Sequence, residues 1–224
     1  MVTQIDRRDG TQRRFFRRDP VTLARALLGR RLVRRLGNGV ELSGRIVETE
    51  AYLGIRDRAA HSFGGRRTKR TESMWLDGGH VYVYFTYGMH WLLNIVSERE
   101  GQPTACLIRA LEPLDGVEEM RRNRAGKISL EHLRDVDLCS GPAKLTDALR
   151  IDGKQDGLDL VDGEELYLER GRSVTSDRIV TSTRIGVGYA REWAKRRLRF
   201  YVRDNPNVSV RSTRAATRRD SEAR

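Results

Sequence analysis

Two carboxylates, Glu48 and Glu50, stand one residue apart in the segment RIVETEAYLG, which otherwise reads as a β-strand. Side chains alternate faces along a strand, so the two acids are expected on one face, about 7 Å apart, with Val47 and Thr49 on the other. A carboxylate so placed can take a proton from water. As an anion it also stabilises oxocarbenium-like charge on a sugar, so cleavage of a glycosidic bond is within its reach without a lysine nucleophile or a metal. The spacing alone does not choose between the two acids.

A second group of residues lies in HVYVYFTYGMHWLLNIV. Alternation sets Tyr82, Tyr84 and Thr86 against Val81, Val83 and Phe85, so two phenols share one face while apolar residues cover the other. Tyr87 stands just before Gly88, where a ring would sit at the tip of a hairpin. Asn94 interrupts LLNIV and Arg109 interrupts CLIRAL, and a polar group inside an apolar strand needs a partner or a purpose. Tyrosines are also ordinary residents of half-buried sheets. Their meaning depends on what the chain binds.

Composition bears on that. The 224 residues carry 43 Lys plus Arg against 31 Asp plus Glu, a net charge of +12. Only Lys69, Lys127, Lys144, Lys154 and Lys195 are lysines, so nearly all the positive charge is arginine. Arginine richness can follow genomic base composition, but an overall positive excess points to a polyanion, with nucleic acid the first candidate. Aromatic faces beside that charge suit nucleobases.

Other classes find little support. No apolar run approaches the roughly 20 residues that span a bilayer, and the start MVTQIDRRDG has no signal-peptide character, so an intracellular protein is expected. Cys106 and Cys139 have no companions at metal-ligand spacing and are expected as buried free thiols. His61, His80, His90 and His132 form no zinc motif, which predicts no metal site. RIGVGYA lacks the third glycine of a dinucleotide fingerprint, and no P-loop occurs. Among the histidines, His61 is marked out because it follows the carboxylate strand directly.

The elements that must position these residues are partly legible. Asp19 as N-cap, Pro20 at the first helical position, the apolar stripe Leu23, Ala26 and Leu27, and Gly29 as a stop predict a helix. RLVRRLGNGVELSGRIVETEAY predicts two strands joined at Gly37-Asn38-Gly39. The following GIRDRAAHSFGGRRTKRTESM, rich in glycine and basic residues, is either disordered or a functional loop. Then come the hairpin around Gly88, a strand in TACLIRAL, a helix at about Asp115 to Asn123 and another in AKLTDALR. Short strands with acidic turns follow from Gly153, and a last strand is expected in LRFYVRD. One domain is expected at 17–210, between a mobile basic segment at 1–16 and a disordered tail at 211–224.

Six blocks, RIVETEAYLG, AAHSFGGR, VYVYFTYGMHWLLNIV, LIRALEPLDG, LCSGPAKL and GVGYAREWAKRRLRFYVR, resemble the alkyladenine (3-methyladenine) DNA glycosylase family, in the family's order, over roughly Arg17 to Val210. The resemblance implies an α+β fold: a single mixed domain with a curved, partly barrel-like antiparallel sheet, flanking helices and a protruding DNA-intercalating β-hairpin. It implies a monofunctional base-excision repair enzyme that flips a damaged purine from duplex DNA and hydrolyses its N-glycosidic bond. It assigns Glu50 as the water-activating acid and leaves Glu48 an ordinary polar or structural residue. Arg109 is implied to hold the water, and Tyr52, His61 and Tyr84 to frame the base. Asn94 is implied to reject undamaged guanine, and Tyr87 to wedge into the minor groove beside Met89. Arg66, Thr68 and Lys144 match phosphate-contacting positions, and the Ile185-Gly186 backbone matches a stretch beside the water and nucleotide. His90, Ala143 and Tyr189 depart from the family pattern, none of them expected at the catalytic core. The implied partner is double-stranded DNA with a damaged purine, bound by a monomer, with no cofactor, metal or membrane.

Overall fold

The computed structural model describes residues 12–125 and 133–210. His132, the expected tail at 211–224 and the first eleven residues of the expected N-terminal segment lie outside them. The remainder of that N-terminal segment is packed: Arg13–Phe16 forms one helical turn, α1, and Phe16 is fully buried. The boundary expected at Arg17 therefore falls inside the folded domain, because two adjacent phenylalanines supply apolar area that a charged segment was not expected to bury.

Helix α2 (Pro20–Leu27) forms as its sequence predicts. The Asp19 carboxylate accepts from the backbone N–H groups of Val21 and Thr22 at 3.1 and 3.0 Å, satisfying two of the free donors at the helix start. Leu23, Ala24 and Leu27 bury its inner face. Gly29, with φ +86°, ends it and feeds β1 (Arg31–Arg35), which pairs antiparallel with β2 (Glu41–Tyr52) across the Gly37–Gly39 turn.

Eight strands form one sheet: β1, β2, β3 (Val81–Thr86), β4 (His90–Ser97), β5 (Thr104–Asp115), β6 (Leu166–Glu169), β7 (Ile179–Ser182) and β8 (Arg199–Val202). The order is β3-β4-β5-β2-β1-β6, with β8 pairing β2 and β7 pairing β8, and every pair is antiparallel. Long β2 is the hub. Its first half binds β1 and its second half binds β8, so the sheet divides there and curls into a half-barrel. The α+β class and single curved domain expected from the sequence are what the structure has.

Helices close the sheet. They are α2, α3 (Val117–Ala125), α4 (Asp135–Leu138) and α5 (Pro142–Leu149), whose Thr146 hydroxyl donates to the Trp91 carbonyl of β4 at 2.7 Å. The helix expected from Asp115 starts two residues later, because β5 runs on to Asp115 and Gly116 turns the chain with φ +71°. Cys106 and Cys139 are buried free thiols, as expected.

The segment after Tyr52 is ordered. Three short 3-10 turns, Gly54–Arg56, Phe63–Gly65 and Lys69–Trp75, carry it. One anchor is Asp57, fully buried and paired with buried Arg184 at 2.5 and 2.8 Å. The strand pairing of β2 with β5 shifts register at its start, between Ser43 and Gly44, and again beside the two acids, where Ile46 opposes Leu111, Glu48 opposes Ala110 and Thr49 opposes Ile108. Val47 is thus an extra residue on β2, and Arg109 an extra residue on β5.

Candidate active site

That double irregularity builds the site. Val47 packs with Ala110, Tyr201 and Val208, whereas the Thr49 hydroxyl donates to the Ala24 carbonyl of α2. The expectation that Val47 and Thr49 share a face fails, because a bulge turns two consecutive residues the same way. Glu48 and Glu50 do share a face, since one guanidinium reaches both. Arg109 Nε is 3.0 Å from Glu48 Oε1, and its second nitrogen NH1 is 3.3 Å from Glu50 Oε1. Bulges commonly re-aim a side chain beside a site, and here the re-aimed chain is Arg109.

Glu50 is fully buried and receives two further donors. The Ile185 N–H donates to Oε1 at 2.8 Å, and the Tyr52 hydroxyl donates to Oε2 at 2.9 Å. Burial, reinforced by the negative charge of Glu50, pushes the Tyr52 phenol well above its ordinary range, so it remains a donor. A carboxylate offers about four acceptor positions. These hydrogen bonds do not fill them.

Tyr52 opens onto a cleft of about 480 Å³. Its walls include His61, Tyr84, Asn94, Arg109, Ile185 and Gly186, with Tyr87 at the rim, so the cleft gathers most residues singled out from the sequence. Tyr84 stacks on Tyr82 with centroids 5.2 Å apart, and the His61 ring meets Tyr84 edge-on at 4.5 Å. The two-phenol face expected from alternation is therefore real. His61 Nδ1 is 2.8 Å from the Tyr82 hydroxyl. Burial, with Arg70 and Arg66 adding to it, lowers the His61 pKa to about 4, so the imidazole is neutral at pH 7.

Asn94 is buried, and its amide donates to the Tyr82 carbonyl at 3.1 Å while lining the cleft. Tyr87 is 80% exposed at the β3–β4 hairpin, with φ +52° followed by Gly88 at +67°. Phe85, expected on the core face, is 43% exposed because β3 has run past the core by that point. The Met89 side chain, also exposed, lines a second cavity with Trp91 on the other side of the hairpin and not the cleft. Arg66, Thr68 and Lys144 lie outside the cleft: Arg66 is exposed, Thr68 caps the Lys69–Trp75 turn, and Lys144 donates to the Ser140 hydroxyl at 3.2 Å.

Among the described residues no cluster of histidine, cysteine, aspartate and glutamate could hold a metal ion, and no helix is long and apolar enough to cross a membrane. The Methylpurine-DNA glycosylase (MPG) family model matches residues 14–206. The chain belongs to that family. The DNA-3-methyladenine glycosylase of Homo sapiens is 53% identical over 202 residues, covering 88% of this chain and 66% of its own length. The Mus musculus protein of the same name is 52% identical over 202 residues, covering 88% and 60%. The chain thus spans less than two thirds of these mammalian relatives. A relative from Natranaerobius thermophilus, 43% identical over 196 residues, is matched over 96% of its length.

Within this methylpurine-DNA glycosylase family member, the three departures expected away from the core, His90, Ala143 and Tyr189, all line the cleft. Strand alternation explains His90, which lies on the same side of β4 as Leu92 and Asn94. Sequence reasoning missed Arg70, whose guanidinium stands 5.3 Å over the Tyr84 ring, and Arg184, 4.6 Å over the Tyr52 ring. It also missed the importance of Glu48, which accepts from Arg109, from Arg199 at 2.7 Å, and from Ser209 by both hydroxyl and N–H at 2.9 and 2.7 Å. The signal for Glu48 was its spacing from Glu50; nothing local pointed to Arg70 or Arg184.

Proposed function

We propose that this protein is a monofunctional DNA glycosylase that accepts an alkylated or deaminated purine, such as 3-methyladenine, 7-methylguanine, hypoxanthine or ethenoadenine, flipped from duplex DNA. The observation that carries the reading is Glu50. It is a buried carboxylate with acceptor capacity beyond its two hydrogen bonds, paired with Arg109, beside an aromatic-walled cleft large enough for a nucleotide.

In this reading the base enters between Tyr52 and Tyr84, with His61 at its edge, and Tyr87 fills the space it leaves in the duplex. Holding a base out of the stack costs a few kcal/mol, less for a lesion, so filling the gap slows its return. A water at a free position of Glu50 attacks the sugar carbon C1′ as the bond to the base nitrogen breaks. The water proton passes to Glu50, and the bond electrons leave with the base. Negative charge at Glu50 stabilises the oxocarbenium-like sugar in between.

A purine methylated at N3 or N7, such as 3-methyladenine or 7-methylguanine in DNA, already carries positive charge and leaves as a neutral molecule. A neutral lesion needs a proton first. Neutral His61 and the raised Tyr52 and Tyr84 phenols are poor acids at pH 7, so release of neutral lesions is expected to fall as pH rises. Asn94 would exclude guanine through its exocyclic amine. Arg66, Thr68 and Lys144 would hold phosphates, Met89 the groove, and the enzyme would act as a monomer without a cofactor.

Single-turnover assays on duplexes holding each lesion or undamaged purine, followed by alkaline cleavage of abasic sites, test the reading. Lesion-dependent breaks are expected. Glu50→Gln should retain lesion-duplex binding while release falls by at least about 100-fold, the scale of lost general-base catalysis. Unaltered release would remove Glu50 from the role, and no breaks from folded, DNA-binding wild type would leave a non-catalytic DNA-binding protein.

A further inference from the structure

We propose that Glu48 is a positioning residue for Glu50, an inference that rests on the glycosylase reading above. Its action runs through Arg109. That guanidinium makes its shorter contact, 3.0 Å, with Glu48 and its longer one, 3.3 Å, with Glu50. Had Glu48 been absent, Arg109 would be free to close on Glu50 in a two-pronged pair, the strongest arrangement open to an arginine and a carboxylate. Such a pair, added to the bonds from Ile185 and Tyr52, would occupy the acceptor positions that Glu50 now keeps open. The water would then have no base.

Glu48 is built to compete for that arginine. It is fully buried and held by Arg199 Nε at 2.7 Å and by Ser209 through its N–H at 2.7 Å and its hydroxyl at 2.9 Å. Arg199 in turn donates to the Val210 carbonyl, so the chain just after β8 folds back over the pair. Four donors fix Glu48 in place, which fixes the share of Arg109 that it takes. Two acids and two guanidiniums make this buried group neutral, whereas loss of one acid would leave an excess positive charge beside Glu50.

The charged and titratable groups about Glu50 are Glu48 and Tyr52 from β2, Tyr84 from β3, Arg109 from β5, Arg199 from β8 and Arg184 from the loop before β8. Of these, Glu48 alone is a second acid. Removing Glu48 therefore takes one negative charge away from beside Glu50 and frees Arg109 to turn toward it.

The experiment measures single-turnover release of 7-methylguanine against pH for wild type, Glu48→Gln and Glu48→Asp. This lesion already carries its positive charge, so the acid limb reads the base. Expected for Glu48→Gln is an acid limb moved down by about one pH unit or more, with the plateau rate about tenfold lower. Glu48→Asp, which keeps the charge, should hold the limb near its wild-type position even if the rate falls. A purely structural role would lower the folded fraction in both variants without moving the limb, and that result overturns the proposal. If Glu48→Gln does not fold, Ser209→Ala serves: with one donor fewer, Glu48 draws harder on Arg109, and the limb should move up. An unmoved limb there counts equally against it. Carbon-13 NMR titration of the Glu50 carboxyl in the same proteins reads the coupling without turnover. A wild type that releases no base would therefore overturn the glycosylase reading, while the titration still decides whether Glu48 tunes Glu50.

Discussion

Tyr87 holds a left-handed backbone conformation, φ +52°, that bulky residues avoid, and its ring is 80% exposed. Such a residue costs on the order of 1–3 kcal/mol, and strain of this kind collects where a side chain must be presented. Glycine would relieve it. Tyr87→Gly is therefore expected to leave the protein as stable as wild type or up to about 1 kcal/mol more stable. The same variant should lose more single-turnover release from lesion duplex than affinity for undamaged duplex. Chemical denaturation and parallel binding titrations check this, and equal losses on both duplexes would contradict the wedge. His61 shows the complementary case, where burial removes an ordinary property: at a pKa of about 4 it is a neutral ring at pH 7 and not a cation.

Among the elements, the loop between β2 and β3 is tied down by Ser62 to the Pro103 carbonyl, by Ser73 to Asp156 and, most deeply, by the buried pair of Asp57 and Arg184. Asp57 and Arg184 are both buried, and Arg184 also donates to the Ala51 carbonyl and covers the Tyr52 ring. Truncating one partner of a buried ion pair leaves the other uncompensated, at a cost of about 3–5 kcal/mol. Arg184→Ala should lose stability on that scale in denaturant titrations, and proteolysis should cut between Gly54 and Trp75 where wild type resists. A loss below about 1 kcal/mol would show that the other ties hold the loop without it. This loop also marks the limit of sequence reading. Helix α2 was legible because its cap, proline and stop lie within a dozen residues, and the Gly88 hairpin because alternation flanks a turn signal. Asn94 and Arg109 stood out as polar interruptions of apolar strands. The order of the loop did not, because the partner of Asp57 lies 127 residues away. The paired extra residues Val47 and Arg109 were equally hidden, since alternation assumes unbroken pairing.

For the whole molecule, the arginines behind the charge of +12 divide between interior and surface. Arg34, Arg109, Arg124, Arg184 and Arg199 are buried, so part of the arginine content is structural. Exposed cations such as Arg66, Arg67, Lys69 and Arg70 cluster on the loop that forms one wall of the cleft. Each phosphate they neutralise would release counterions, so duplex affinity should fall steeply with salt. Arg66→Ala is expected to weaken damaged and undamaged duplex alike and to reduce the slope of log affinity against log salt by about 1. Titrations at several salt concentrations measure it, and an unaltered slope would remove Arg66 from the phosphate contacts. The positive excess was legible from composition; which arginines lie in the interior was not, because that depends on acids brought near by folding.

The two extra residues on β2 and β5 restrict how this lineage can change. They offset one another, so pairing resumes in step at Thr49 and Ile108. Deleting Val47 alone would leave the strands out of step beyond it, and a one-residue slip redirects every following side chain. The deletion that restores step is Arg109 itself, the guanidinium shared by the two acids. Neither extra residue can therefore be removed by itself while Glu50 and Arg109 both keep their places, so the two positions are tied together as one ratchet.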